Sequence, residues 1–249
     1  MPRKSAKSSG GVRWWLWIVV ALLALAIFPV IQVACVRVGN PSLTPLMILR
    51  QAEGRWTGKS SRERHYDWRP MTQIPRDFIR FVVIAEDQRF FQHHGFDWHE
   101  IDAARAQAER TGQAPRGAST ITQQCARSLF LWQGRSWLRK GLEAYYTFWM
   151  EALLPKGRIL ELYANVIEMG DGVYGIEAAA QAHYHVSARS LTREECATLA
   201  AILPNPRAWD PRTPSAEVSA RVAKILRQEK QVHLPLAELG LKSSSAPSF

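Results

Sequence analysis

Residues 14–36, from Trp14 to Val36, carry no charged side chain. At about 1.5 Å of rise per residue, a helix of that length crosses the roughly 30 Å hydrocarbon core of a bilayer. A chain with such a run must divide into a lipid-facing helix and a part that folds in water. Pro29 and Gln32 are the only interruptions, and both lie towards one end, where a membrane helix tolerates them. Trp14, Trp15 and Trp17 cluster at the other end, where an interfacial aromatic belt would sit. Arg3, Lys4, Lys7 and Arg13 precede the run with no acid among them. The positive-inside rule therefore places the N-terminus in the cytoplasm and the remainder outside. A cleaved leader would need a shorter apolar core, about 7–15 residues, and a small-x-small site. Ala34-Cys35-Val36 is a poor one, so the run reads as a retained anchor.

The 249 residues then suffice for one external domain, and 47% hydrophobic content with 10 Trp can fill a core. The formal net charge is +10, and removing the four basic residues ahead of the anchor still leaves +6. The external part thus attracts phosphate-bearing ligands or anionic lipid. Nucleic acid is disfavoured by the external location and the lack of a recognised binding module. Cys35 lies in the apolar run, and Cys125 and Cys196 are too few for a disulfide framework. They read as buried free thiols. No Cys/His cluster has zinc spacing.

The external part is expected to be mostly α. Residues 37–66 hold scattered prolines and glycines and read as a membrane-proximal connector with one short helix from Pro45. From Arg76, the spacing of Phe78, Phe81, Val82 and Ala85 gives an amphipathic helix. Further helices are expected from near Asp97 to Arg110 and from Ser119 or Thr120. Ser136 would cap another, ended by Pro155. Others cover 156–165, 177–184, 193–203 and 216–231. Few stretches alternate as strands do. The limits expected are a basic tail 1–13, the anchor 14–36, the connector 37–66, a catalytic domain 67–232 and a C-terminal tail 233–249, the last residues of it disordered.

Glu86 falls one turn after Val82, at the margin of the apolar stripe. A carboxylate there is part-buried, so its pKa should rise, which suits a general base working near neutral pH. The plainer reading is a surface acid paired with Arg89 at i+3. In Gly117-Ala118-Ser119-Thr120-Ile121-Thr122-Gln123-Gln124, the density of hydroxyls and amides suits a sugar or phosphate lining better than a core. Helix capping by Ser119 or Thr120 is the plainer alternative. Arg139 and Lys140 lie four and three residues before Glu143, so the three share a helical face. They form either an anion clamp or a surface ion-pair cluster. His93 beside His94 is a weak metal signal, and a structural role at the helix end is the better reading.

These segments together resemble the peptidoglycan glycosyltransferases. The first motif, Glu-Asp-x-x-Phe-x-x-His-x-Gly, is complete as Glu86, Asp87, Phe90, His93 and Gly95. The second is residues 117–124 and the third Arg139-Lys140-Gly141-Leu142-Glu143. The fourth is residues 156–165, with Ala164 where leucine is usual. The fifth runs from Glu194 to Ala200 with Pro204, Pro206 and Pro211 after it. Five motifs in order, between about Asp67 and Pro211, are hard to obtain by chance. Residues 129–132 and 134–137 look closest to the monofunctional, biosynthetic branch in Gram-negative bacteria. The absence of a Ser-x-x-Lys motif agrees with that branch.

The resemblance implies a lysozyme-like domain with a small membrane-proximal lobe on the outer face of the inner membrane. Its substrates would be lipid II and the growing lipid-linked glycan strand, with cell-wall synthesis or division proteins as further partners. It implies Glu86 as the base that deprotonates the acceptor 4-hydroxyl. Glu143 would be the second acid, assisting departure or holding a divalent cation, Mg or Mn, on the pyrophosphate; no organic cofactor is implied. Ser119, Thr120, Gln123 and Gln124 would bind substrate or hold the backbone of the site. Arg127, where lysine is commoner, would join Arg135, Arg139 and Lys140 in a basic patch facing the departing pyrophosphate. Ala164 would leave a cavity costing about 2–5 kcal/mol unless the space is refilled. A glycan-cleaving enzyme of related fold would not need the basic patch. A scaffold with a vestigial site would be free to lose Glu86 and Glu143.

Overall fold

The computed structural model describes residues 14–56, 63–114, 117–134, 136–231 and 235. The tail 1–13, Arg135 and, Pro235 apart, the tail 233–249 lie outside them.

Ten helices and three short strands follow one another: α1 (Trp14–Val38), α2 (Pro45–Trp56), β1 (His65–Tyr66), α3 (Arg76–Glu86), α4 (Trp98–Thr111), α5 (Ile121–Phe130), α6 (Trp137–Leu153), α7 (Lys156–Val166), β2 (Glu168–Gly170), β3 (Val173–Tyr174), α8 (Gly175–Tyr184), α9 (Arg193–Ile202) and α10 (Ala216–Gln228) among the described residues. The mostly α architecture is as expected from the sequence. The sheet is not: the order is β1-β3-β2, with β1 parallel and β2 antiparallel to β3. Strands this short show too little alternation to be read in advance. One of them lies in the connector and two in the glycine-rich stretch after α7.

Apolar periodicity explains the core. Phe78, Phe81 and Val82 of α3 are buried as the spacing required, joined by Ile79, Val83 and Ile84, while Ala85 is only partly covered. The helix is thus surrounded, packing on α9 and α10. α5 packs between α6 and α7. Local signals set the helix starts. Asp97, Ser136 and Ser215 cap α4, α6 and α10, and Thr120 and Thr192 close capping boxes with Gln123 and Glu195. Cys125 and Cys196 are buried free thiols, as expected. Ala164 is fully enclosed.

α1 is long and apolar enough to cross a membrane, with mean hydropathy 2.7 in its most apolar window. Most of its side chains face outward, and Pro29, Val33 and Val36 are buried against the rest of the chain. Pro29 removes a backbone donor in mid-helix. In the same turn, the Tyr145 hydroxyl on α6 donates to the Ala26 carbonyl at 2.8 Å. Gln32 accepts a hydrogen bond from the Tyr146 hydroxyl. At the far end, Arg158 of α7 donates to the carbonyls of Val36 (3.0 Å) and Gly39 (2.7 Å) and to the Asn40 side chain (2.9 Å). A cation on the last carbonyls satisfies orphan acceptors and opposes the negative end of the helix dipole. The helix therefore leaves its apolar stretch already fastened to α6 and α7.

The connector is more ordered than its composition suggests. Leu46 and Met47 of α2 pack with Tyr174 of β3 and with Tyr66 of β1, apart from the main core. Arg50 reaches Glu168 at 3.0 Å and Glu53 at 2.9 Å. This is a small second cluster beside the exit of the apolar helix.

Candidate active site

Glu86 is the last residue of α3 and its side chain is 12% exposed. What brings it to α5 is its neighbour. Asp87 accepts the backbone N–H of Ile121 at 3.0 Å, at the start of α5, where the exposed amides and the helix dipole favour a carboxylate. His93 Nε2 lies 2.9 and 3.1 Å from the two Asp87 oxygens, and the Gly95 N–H donates to His93 Nδ1 at 3.2 Å. Nδ1 is therefore the bare nitrogen, and Nε2 carries the proton given to Asp87. Gly95 has φ +89°, and a Cβ there would lie 2.7 Å from Thr147 Cγ2, so glycine is required on both counts. The Thr120 hydroxyl donates to the Gly95 carbonyl at 2.7 Å. Lys156 donates to the His93 carbonyl and to Glu151, each at 2.8 Å, and lies 4.2 Å from the Phe90 ring centroid. The first, second and fourth motifs thus meet in one knot.

That knot presents Gln124 to Glu86. Gln124 Nε2 donates to Glu86 Oε2 at 2.9 Å, and the Tyr163 hydroxyl of α7 donates to Gln124 Oε1 at 3.0 Å. Arg221 Nη2 of α10 stands 4.0 Å from Glu86 Oε1. It is steadied by a hydrogen bond to the Ala201 carbonyl at 3.0 Å and lies 5.7 Å from the Trp209 ring centroid. Burial pushes the Glu86 carboxyl up from its ordinary value. The Gln124 hydrogen bond and the charges of Arg221 and Arg127 hold it down only in part. The pairing with Arg89 allowed by i+3 spacing does not form. Arg89 Nε instead faces Asp97 Oδ2 at 3.4 Å, because the chain leaves the helix directly after Glu86.

Glu143, one turn and a half into α6, has a side chain with no exposed surface. Its two oxygens are taken by Arg139 at 2.6 Å and Lys140 at 2.5 Å, and Arg127 Nη1 lies 3.9 Å away. Arg139 also donates to the Gly134 carbonyl at 2.7 Å. This is no surface ion-pair cluster: one buried carboxylate binds two cations with a third close by, and the Lys140 side chain remains 44% exposed. Arg127 joins the two acids, since its charge also acts on Glu86.

The remaining expected site residues divide. Thr120 and Gln123 are buried, and the Thr120 hydroxyl and Gln123 Oε1 are engaged in the capping box and with Gly95; these atoms hold backbone. Ser119 is half-buried at the entrance to α5. Arg135 lies outside the described residues. Tyr163 and Arg221 were missed. Tyr163 reads as one more apolar position of α7, and Arg221 as an ordinary charge on an amphipathic helix far along the chain. Tyr163 lies within the fourth motif, but nothing in its spacing assigns it to the site, and Arg221 carries no local signal.

A divalent cation does not fit the residues expected to hold it. Both Glu143 oxygens already face cations, which leaves no donor set there. Asp87, His93 and Asp97 do bring ligand atoms within 4.8 Å of one another. However, His93 Nε2 is the protonated nitrogen, and a metal on it would demand an imidazolate because Nδ1 accepts from Gly95. Asp97 Oδ1 caps α4 through Glu100 at 3.1 Å. Asp87 and His93 form a hydrogen-bonded tie, while Asp97 Oδ2 faces Arg89.

A buried carboxylate beside an amide, next to three fixed cations, suits proton abstraction together with stabilisation of a departing anion. Residues 53–230 match the family described as Transglycosylase. The chain is 47% identical over 219 residues to a biosynthetic peptidoglycan transglycosylase of Xanthomonas campestris pv. campestris (strain B100), covering 88% of this chain and 89% of the relative. Proteins of the same description from Xylella fastidiosa (strain 9a5c) and Stutzerimonas stutzeri (strain A1501) are each 46% identical, over 220 and 211 residues. These alignments span 88% and 85% of this chain and 90% and 86% of the relatives. With a match that takes in every motif and relatives aligned over nearly their whole length, the chain belongs to the transglycosylase family.

Proposed function

We propose that this transglycosylase polymerises lipid II into peptidoglycan strands with Glu86 as general base and the cations on Glu143 as the pyrophosphate clamp. Glu86 takes the proton from the 4-hydroxyl of the acceptor sugar. The oxygen attacks the anomeric carbon of the donor, the bond to the lipid pyrophosphate breaks, and the α-linked sugar is inverted to a β-1,4 link. Arg127, Arg139 and Lys140 face the negative charge that develops on the leaving group. Because Glu143 holds them in place beforehand, little reorganisation is needed as the bond breaks.

One observation carries this reading. A buried base stands beside a cluster in which three cations share one carboxylate, leaving net positive charge for a ligand. A glycan-cleaving enzyme also uses a carboxyl with a raised pKa, but its leaving group carries no phosphate and gives the cations no purpose.

α1 supports a single-pass anchor, and the basic residues before it favour an N-terminus in the cytoplasm with the catalytic domain on the outer face of the inner membrane. Both substrates are lipid-borne, so a tether confines their encounter with the catalyst to two dimensions. The test is polymerisation of labelled lipid II by the detergent-solubilised full chain and by Glu86→Gln. Glycan ladders are expected from the first and not the second. Ladders from both would remove Glu86 as base, and shortening of preformed glycan would favour the hydrolase.

A further inference from the structure

We propose that Tyr163 is a positioning residue for the reaction: through Gln124 it holds the catalytic carboxylate in its proton-accepting form. The inference rests on the reading of Glu86 as base.

A glutamine amide has one accepting and one donating end, of nearly equal size, and either end can face a neighbour. Facing Glu86 with Nε2, Gln124 donates to a carboxylate. Facing it with Oε1, Gln124 would repel a carboxylate and accept from a protonated carboxyl. The orientation of one amide therefore favours one protonation state of the base.

Tyr163 selects the orientation. It is 1% exposed, and its hydroxyl donates to Gln124 Oε1 at 3.0 Å while Gln124 Nε2 donates to Glu86 Oε2 at 2.9 Å. If the amide turned over, Nε2 would donate to the Tyr163 oxygen. The phenolic proton would then lose the acceptor that it has among the described residues. A buried donor without an acceptor is costly, so the turned state is disfavoured at both ends. Ionisation of the phenol would free it from this role, but burial, with the Glu86 charge next, pushes the Tyr163 hydroxyl well above its ordinary value. The phenol stays a donor throughout the working range.

The other groups facing Glu86 are Arg221 on α10, Arg127 on α5 and Asp87 beside it. None depends on the phenol for its place: Arg221 is held by Ala201, Arg127 faces Glu143, and Asp87 is held by His93 and the Ile121 N–H. Tyr163→Phe consequently removes one hydroxyl and one orienting bond.

The experiment is the pH profile of kcat/KM for lipid II polymerisation by the full chain, comparing wild type, Tyr163→Phe, Gln124→Met and the double variant. The acid limb of Tyr163→Phe is expected to move up by about one pH unit, a roughly tenfold loss on the acid side that recovers towards wild type on the alkaline side. The double variant should be no worse than Gln124→Met, since the phenol acts through the amide. An unmoved acid limb, a loss equal at every pH, or additive losses would each overturn the proposal. If Tyr163→Phe fails to fold, Gln124→Met carries the same test, because it removes the donor to Glu86 and should move the limb in the same direction. Glu86→Gln is run alongside. Polymerisation retained in that variant overturns the base and the relay together, whereas an inactive Glu86→Gln with an unmoved limb in the others overturns the relay alone.

Discussion

Glu86 and Glu143 are both withdrawn from water, and their surroundings treat them in opposite ways. Glu86 receives one hydrogen bond from an amide and has a guanidinium 4.0 Å away. Glu143 has Arg139 and Lys140 at contact distance and Arg127 just beyond. Burial without a close counter-ion keeps a carboxylate eager for a proton. A buried carboxylate set among cations serves instead by where it holds its partners. In the mechanism proposed above, two glutamates with the same side chain do different work, one on a proton and one on the geometry of a positive patch.

The two environments are separated most sharply at Glu86. Glu86→Gln should cut polymerisation by about 10²- to 10⁴-fold while the fold persists, read from glycan ladders and circular dichroism. Glu143→Gln should instead act on stability. It leaves cations in a buried site without their anion, a loss of about 3–5 kcal/mol measurable by denaturant unfolding. A Glu143→Gln protein as stable as wild type would mean that the two acids are alike after all. Lys140→Met sharpens the division within the patch. That side chain is 44% exposed, so its removal should leave the melting temperature nearly unchanged. It should lower kcat/KM by roughly 10- to 100-fold, the worth of one charge-assisted hydrogen bond.

The smallest effect is the most diagnostic in sign. The Glu86 carboxyl titrates higher in the folded chain than in the unfolded one, because burial disfavours its charge. The folded state therefore binds more protons in that interval, and stability falls as pH rises through it. The penalty is absent below the ordinary carboxyl value and fully present above the raised one. Glu86→Gln should melt slightly higher than wild type near neutral pH and lose that advantage in acid. Thermal melts at several pH values decide it, and a variant destabilised at neutral pH would show that Glu86 is held as Glu143 is.

Much of the architecture was legible because it is locally encoded. The apolar run announces α1, and the 3.6-residue spacing of Phe78, Phe81 and Val82 announces α3. Thr120 with Gln123 and Ser136 mark helix starts through bonds made within one turn. The three-residue and four-residue spacing that joined Arg139, Lys140 and Glu143 is likewise a property of a single helix. The sheet escaped, since its strands have only two or three residues and β1 pairs with β3 across most of the domain. The first, second and fourth motifs meet around Glu86, but their spacing did not say which of their residues hold the others in place. Asp87, His93, Gly95, Thr120 and Gln123 prove to be ties between elements.

By itself, the sequence determined the long apolar helix, the helical class and the family, because each rests on composition, periodicity, local capping or an ordered set of motifs along the chain. Only the tertiary structure decided the surroundings of the two acids and the state of Glu86. A carboxylate's proton affinity depends on what surrounds it in space. The partners that set it for Glu86, namely Gln124, Tyr163, Arg127 and Arg221, arrive from α5, α7 and α10. No spacing within α3 could have named them.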